Sequence, residues 1–312
     1  MSRIERALEK AANLRDNIIE KKGVEEKIVL QPAKRHTPPP LTGNNEIKIR
    51  TEKPLLATLY DPHSPVSEEY RKLKSALSAY VQGDIFNNVI MVTSSVSGEG
   101  KSITSLNLAI SLAQELDHTV LLVDADLRKP SIQDLLDIKH SKGLSDHLTD
   151  GTPINDLLIK IGVGRLTLLP AGTPLKNPVE LFSSQKLKDF ILEIKNRYHD
   201  RFIIIDTPPI LPFAETRLLS KIVDGIVFVI REGKSTTENI NESMKSFDKA
   251  KLVGAVYNDA TLVNLNGYYH SYYYGYGFSK QGKEVRGQLT AYVKQLKEAS
   301  NKSSFIRKLL NR

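Results

Sequence analysis

Between about residue 67 and residue 258, short apolar runs alternate with longer stretches whose apolar residues recur at helical spacing. The runs Val89–Thr93, Val120–Val123, Leu166–Leu169, Phe202–Ile205, Gly225–Ile230 and Leu252–Tyr257 predict strands. They are apolar and β-branched rather than alternating, so both faces are expected to be buried. That pattern predicts a parallel sheet wrapped by helices, an α/β fold. The intervening helices fall at about Ser67–Tyr80, Lys101–Glu115, Pro178–Tyr198 and Thr236–Ala250. Ahead of this core, Ser2 and Glu5 have capping-box spacing, and Ile4, Leu8, Ala11 and Ile18 fall near one face of a short amphipathic helix. Residues 21–65 lose the periodicity and carry Pro32, Pro38, Pro39, Pro40, Pro54, Pro62 and Pro65, which reads as a linker. The expected organisation is therefore a helix at 1–20, a linker at 21–65, a core domain at 66–262, a tyrosine-rich segment at 263–278 and a basic tail at 279–312.

Composition narrows the classes. An apolar content of 40% in 312 residues is enough to build a core, which argues against wholesale disorder. The absence of cysteine excludes disulfides and cysteine-based metal or redox chemistry, and fits a reducing cytoplasm. No apolar run approaches the length of a membrane span, and the charged N-terminus does not read as a signal peptide. The net charge of +8 is concentrated: residues 279–312 hold nine Lys or Arg against Glu284 and Glu298. A basic tail of this kind suits an anionic membrane surface or an acidic partner, and a solvated tail with no partner is the plain alternative. No nucleic acid is expected. The expected location is the cytoplasm, with peripheral attachment to the inner face of the cell membrane as the tail's option.

The first strand runs into Ser94-Ser-Val-Ser-Gly-Glu-Gly-Lys-Ser-Ile-Thr104, a turn followed by a helix start. Gly98 and Gly100 let the backbone curl so that its N–H groups converge on phosphate oxygens, and the helix start adds positive potential. Ser97, Gly98, Glu99, Gly100, Lys101, Ser102 and Ile103 thus form a candidate phosphate cradle. Lys101 would reach the terminal phosphates, and the Ser102 hydroxyl would ligate Mg²⁺. Ser95 stands where the strict pattern has glycine, and a small residue can turn there too. Two further buried strands end in carboxylates, Val120-Leu-Leu-Val-Asp124-Ala-Asp126-Leu-Arg128 and Phe202-Ile-Ile-Ile-Asp206. Ligands in open α/β sheets bind beyond the carboxyl ends of the strands, so these carboxylates should meet the loop at one edge. Singly each aspartate reads as a turn or cap residue; together, in this frame, they read as metal- and proton-handling groups, with Asp206 the partner of Mg²⁺ through water.

These segments, with Leu121-Leu-Val-Asp-Ala-Asp-Leu-Arg-Lys-Pro130, Ile204-Ile-Asp-Thr-Pro-Pro209, Gly143-Leu-Ser-Asp-His-Leu148 and Leu169-Pro-Ala-Gly-Thr-Pro-Leu-Lys-Asn-Pro-Val-Glu-Leu181, resemble the bacterial tyrosine kinase (BY-kinase) family over residues 60–276. The N-terminal Ser-Arg-Ile-Glu-Arg-Ala-Leu-Glu-Lys is similar to that of the tyrosine autokinases of exopolysaccharide/PEP-CTERM loci. The resemblance implies a P-loop NTPase fold of the MinD/ParA-like branch. Val96 stands where that branch often has a signature lysine, which favours a kinase over a positioning ATPase. The resemblance also implies roles: Asp124 for the tyrosine proton, Asp126 and Asp206 for Mg²⁺, and Arg128 close by. Asn258 would read the adenine edge, an ordinary strand-end turn being the alternative.

Tyr268, Tyr269, Tyr272, Tyr273, Tyr274 and Tyr276 are half of the chain's tyrosines, packed into nine residues without strand or helix period. A low-complexity linker or an aromatic docking patch would account for them; the resemblance implies an autophosphorylation cluster. The family usually ends at its cluster, whereas this chain continues for 36 residues. Glu68, Arg71 and Lys74, three apart on one helix face, are similar to the Glu–Arg–Arg motif that joins family members into a ring, with Lys in place of the last Arg. The implied partners are further copies of the chain, a separate membrane activator of the polysaccharide co-polymerase type and a tyrosine phosphatase. A ParA/MinD-like ATPase and an ATP-state-dependent binding module are the competing readings.

Overall fold

The computed structural model describes residues 55–81, 87–115, 118–139, 141–196 and 201–260. The expected N-terminal helix, the linker as far as residue 54, the tyrosine cluster and the basic tail lie outside the described residues.

Seven strands are present: β1 (Val89–Ser94), β2 (Thr119–Asp124), β3 (Ile159–Lys160), β4 (Leu166–Leu169), β5 (Arg201–Asp206), β6 (Gly225–Arg231) and β7 (Leu252–Asn258). They form one sheet in the order β3-β4-β2-β5-β1-β6-β7, parallel throughout except where β3 pairs antiparallel with β4. All six predicted strands are found within a residue of their expected ends. The two-residue β3 is too short to leave a periodic signal.

The apolar strands β1, β2, β4, β5 and β6 are buried on both sides because each side has its own core; β7, also expected to be buried, lies at the sheet edge and is only partly covered. Val89 and Met91 of β1, Leu121 and Val123 of β2, Ile203 and Ile205 of β5, and Ile226 and Phe228 of β6 face one cluster. Their neighbours Ile90, Val92, Val120, Leu122, Phe202, Ile204, Val227 and Val229 face the other. Side chains alternate across a strand, so a run apolar at every position can be satisfied only between two layers of helices. On the first face lie Leu187, Phe190, Ile191 and Ile194 of α8 (Gln185–Asn196) and Leu219 of α9 (Ala214–Ile222). On the second lie Leu77 of α2 (Pro65–Val81) and Leu106, Leu108, Ile110 and Leu112 of α3 (Lys101–Ala113).

Two expectations about the elements are corrected. The stretch 178–198 is not one helix: α7 (Val179–Ser183) ends where Ser184 turns extended, ψ 156°. The Ser184 hydroxyl donates to Leu181 O at 2.6 Å and accepts from Leu187 N–H at 3.3 Å, so it closes α7 and caps α8. The proline-bearing linker also stops before residue 65. Leu56 is fully buried, α1 (Ala57–Tyr60) forms a turn of helix, and Pro65 opens α2, where its missing N–H costs nothing. Asn107 of α3 clamps this segment, accepting from Thr58 N–H at 3.1 Å and donating to Leu55 O at 2.8 Å. The short helices α4 (Ile132–Leu136), α5 (Leu144–Asp150) and α6 (Ile154–Leu157), together with α9, were not predicted, and α10 spans Thr237–Met244.

Candidate nucleotide and phosphoryl-transfer site

The carboxyl ends of β1, β2 and β5 are adjacent in the sheet, and their register sets the site. Val92 of β1 pairs with Asp206, and Asp124 pairs with Asp206. The loop that follows β1 therefore rises beside Asp206 of the adjacent β5, with Asp124 one strand further on. Gly98 and Gly100 hold φ of 81° and 93°, the left-handed region that glycine enters without strain, and Lys101 begins α3. Ser95 needs no such freedom: its φ is not positive, and its hydroxyl accepts from Ser243 of α10 at 2.9 Å. Gly100 is required twice over, because a Cβ there would lie 2.1 Å from Asn258 Nδ2.

Asp206 is fully buried. Its Oδ1 accepts from the Ser105 hydroxyl at 3.0 Å, and its Oδ2 has no hydrogen-bond partner among the described residues. Burial pushes its pKa up to about 6, although the Ser102 hydroxyl, the Lys101 ammonium and Ser105 pull it down. Asp124, also fully buried, is held well above the usual carboxylate range by burial first and by the neighbouring Asp206 charge next. Its Oδ1 accepts from Asp126 N–H at 3.2 Å; its Oδ2 accepts from Ser131 and Ile132 N–H at 3.3 and 3.2 Å. Asp126 is only half buried, and burial raises it while Lys101 pulls the other way. The Ser131 hydroxyl donates to the Ser102 hydroxyl at 2.8 Å, so Ser131 touches both Asp124 and Ser102. Two buried carboxylates side by side with an unpartnered oxygen are costly unless something cationic completes them. Asp206 Oδ2, the Ser102 hydroxyl and phosphates held by the loop are oxygen donors of the kind that suits Mg²⁺, which keeps most of its own waters.

Several expected site residues sit elsewhere. Glu99 is fully buried and faces away from the cradle: its Oε2 accepts from Val96 N–H at 2.9 Å, and its Oε1 accepts from the Ser235 hydroxyl at 2.6 Å and from Arg231 N–H at 3.4 Å. Its side chain shapes the loop, and only its backbone is available to a nucleotide. Asn258 Nδ2 donates to Glu99 O at 2.8 Å, so β7 ends on the loop itself. Arg231 adds a second tie, donating to Gly98 O at 3.3 Å and to Asp259 Oδ2 at 2.7 Å. Arg128 is turned to Glu215, with its Nη1 on Lys176 O at 2.7 Å. Ser97 and Gly98 are exposed at the rim, and Ile103 lies in the first turn of α3. In the expected assembly motif, Arg71 pairs with Glu68 and with Pro62 O, while Lys74 pairs with Glu115 of its own chain at 2.7 Å. Ser105, Ser131, Glu215 and Arg231 were not singled out from sequence. Serines and charged residues between buried runs carry no local signal of which partner the fold will give them.

The family model described as AAA domain matches residues 87–253. The tyrosine-protein kinase YwqD of Bacillus subtilis (strain 168) is 34% identical over 219 residues, 70% of this chain and 89% of that protein. The tyrosine-protein kinase etk of Escherichia coli (strain K12) is 28% identical over 217 residues, which cover 69% of this chain but 29% of that longer protein. Among solved structures, the chimerical protein CapA2B2 superposes with a TM-score of 0.60 at 28% identity, covering 68% of this chain and 92% of the other. The kinase domain of Escherichia coli tyrosine kinase ETK gives 0.60 at 26% identity, covering 66% and 82%. No helix among the described residues is long and apolar enough to cross a membrane. With a mostly parallel sheet, a phosphate loop after β1 and carboxylates at the ends of β5 beside it and β2 beyond, the chain belongs to the bacterial tyrosine-protein kinase family and has the P-loop NTPase fold.

Proposed function

We propose that the chain is an ATP-dependent autokinase that phosphorylates the tyrosines at 268–276 of its own kind and so regulates exopolysaccharide synthesis or export. The observation that carries this reading is the meeting of the Gly98–Ser102 loop with Asp124 and Asp206 at register-paired strand ends, one Asp206 oxygen being left for a ligand. The relatives' names supply the reaction; the geometry supplies the groups for it.

In this reading the loop amides and Lys101 hold the terminal phosphates, and Ser102 with Asp206 holds Mg²⁺. Mg²⁺ would neutralise charge building on the phosphate oxygens. A tyrosine hydroxyl titrates near 10, so it reaches the site protonated and needs a base as the new phenolic O–P bond forms and the bond to ADP breaks. Asp124 was the expected acceptor of that proton. Its enclosure and its three backbone hydrogen bonds support a structural role in shaping the 126–132 turn instead. Asp126, half exposed and near Lys101, is the carboxylate an incoming hydroxyl can reach. In this reading the acceptor comes from a neighbouring subunit, with a ring joined through Glu68, Arg71 and Lys74 as the expected assembly. A separate membrane activator of the polysaccharide co-polymerase type and a tyrosine phosphatase would complete the cycle.

The test is incubation of the purified chain with Mg-ATP and detection of phosphotyrosine, beside Lys101→Ala and a variant with the six cluster tyrosines changed to Phe. Wild type should label and both variants should not. ATP hydrolysis without phosphotyrosine, even with an activator tail present, would return the reading to a ParA/MinD-like ATPase. Label that persists without the cluster would move the acceptor elsewhere.

A further inference from the structure

Glu215 is a buried acidic side chain near the site that the reaction scheme above does not use. It stands in the first turn of α9, its side chain is 0% exposed, and its Oε2 has no hydrogen-bond partner among the described residues. A buried carboxylate is stable only with a compensating charge, and here that charge is Arg128, whose Nε donates to Glu215 Oε1. The guanidinium is held on two further sides. Its Nη1 donates to Lys176 O at 2.7 Å, and it packs over the Phe213 ring at 4.9 Å from the centroid. The Lys176 carbonyl is itself set by Leu175 N–H, which donates to Leu127 O at 2.9 Å. An arginine with its fork, its ring contact and its chain neighbours all fixed has little rotamer freedom left.

This cluster adjoins the reacting groups. The backbone N–H of the next residue, Lys129, donates to Asp126 Oδ1 at 3.0 Å, and the same carboxylate feels the charges of Lys101 and Glu215. Asp126 thus shares one hydrogen-bonded turn with Arg128, and its carboxylate is exposed to the charges of both Lys101 and Glu215. The Arg128 side chain remains 28% exposed, so one part of it is accessible from solvent while the rest is clamped.

Resting on the kinase reading, we propose that Glu215 is a positioning residue for phosphoryl transfer: by clamping the Arg128 side chain it fixes the 126–129 turn that carries Asp126, where the acceptor tyrosine arrives, and it makes no contact with the nucleotide. The alternative is an ion pair that only stabilises the fold. The two differ in what they leave coupled. A positioning pair acts on turnover as a unit, so breaking either member costs nearly what breaking both costs.

The test compares the full chain with Glu215→Gln, Glu215→Asp, Arg128→Lys and the double variant Arg128→Lys/Glu215→Gln. The readouts are thermal midpoint, affinity for a fluorescent ATP analogue and initial rate of phosphotyrosine formation. Glu215→Gln is expected to keep nucleotide affinity within about twofold and to lose at least about tenfold in transfer rate, and Glu215→Asp is expected to recover most of that loss. The double variant should be no slower than the slower single variant. Transfer at the wild-type rate by folded Glu215→Gln, or single losses that multiply in the double variant, would overturn the proposal. If Glu215→Gln does not fold, Glu215→Asp combined with Arg128→Lys carries the same comparison. A wild type that makes no phosphotyrosine would defeat the kinase reading instead, and the coupling would then be read on ATP hydrolysis by the same set.

Discussion

Replacing Asp206 by Asn should make the nucleotide-free protein more stable while abolishing its chemistry. Asp206 is wholly enclosed, pairs in register with Asp124 and leaves Oδ2 unpartnered. The rise of its pKa from 3.8 to about 6 corresponds to about 3 kcal/mol held against the ionised form at neutral pH. The folded-state value lies above the unfolded one, so this group costs nothing below about pH 4. The cost grows between about pH 4 and pH 6, and is complete above that. Asn keeps an acceptor for the Ser105 hydroxyl and carries no charge, and it also removes the charge that pushes Asp124 up. In EDTA at pH 7.5, Asp206→Asn should therefore gain up to about 3 kcal/mol, roughly 6–12 °C in thermal midpoint for a core of this size. The gain should shrink toward zero at pH 4.5, and Mg-ATP should stabilise wild type far more than the variant. Guanidinium unfolding at both pH values with thermal scans is the assay. A variant less stable than wild type at pH 7.5, or a gain equal at the two pH values, would refute the reasoning and make Asp206 an ordinary structural acceptor.

Three further outcomes follow from particular contacts. Gly100→Ala meets both a φ of 93° and Asn258 Nδ2 at 2.1 Å, so nucleotide affinity should fall at least about tenfold by fluorescence titration. Adding Asn258→Ala should restore only part of it, since the backbone strain remains. Leu56→Ala should lower stability by about 2–5 kcal/mol in guanidinium unfolding, a loss that a solvated linker residue could not cause. Lys74→Ala breaks a partly exposed pair with Glu115 and should change subunit stability by no more than about 1 kcal/mol. A larger fall in autophosphorylation with the same fold, tracked by light scattering, would place Lys74 in assembly.

The sheet was readable because a strand buried on both faces has to be apolar at every position, which holds for five of the six runs; β7 was found by the same pattern although it is an edge strand only partly covered. The site was readable where chemistry demands a residue type at a fixed spacing: glycines where φ is positive, a lysine and a serine at the helix start, a carboxylate where a buried strand ends. What stayed hidden was pairing. Nothing near Ser184 marks it as the break between two helices, because the hydroxyl's worth depends on Leu181 and Leu187 being one turn away on each side. Glu99 reads as a loop residue, and only the arrival of Ser235 and Arg231 from β6 and the turn after it makes its carboxylate a scaffold. Arg128 was expected near the phosphates from its place in a motif; Glu215, many residues later, decides where the guanidinium goes.

The end of β7 also sets a ruler. Asn258 is fastened to the phosphate loop through Glu99 O, so the chain leaves the folded core from the rim of the site. Tyr268 comes ten residues later and Tyr276 eighteen. Whatever path it takes, a polypeptide of those lengths spans at most about 35 Å and about 60 Å respectively. On the autokinase reading, each subunit would carry its acceptors at most that far from one site, and a neighbour would be served only if its own site fell inside that radius. Within it, the linked tyrosines would compete at a local concentration that free substrates would have to match. The spacing between subunits would then choose which tyrosines are used, and lengthening the intervening segment by a few glycines would shift that choice along the cluster.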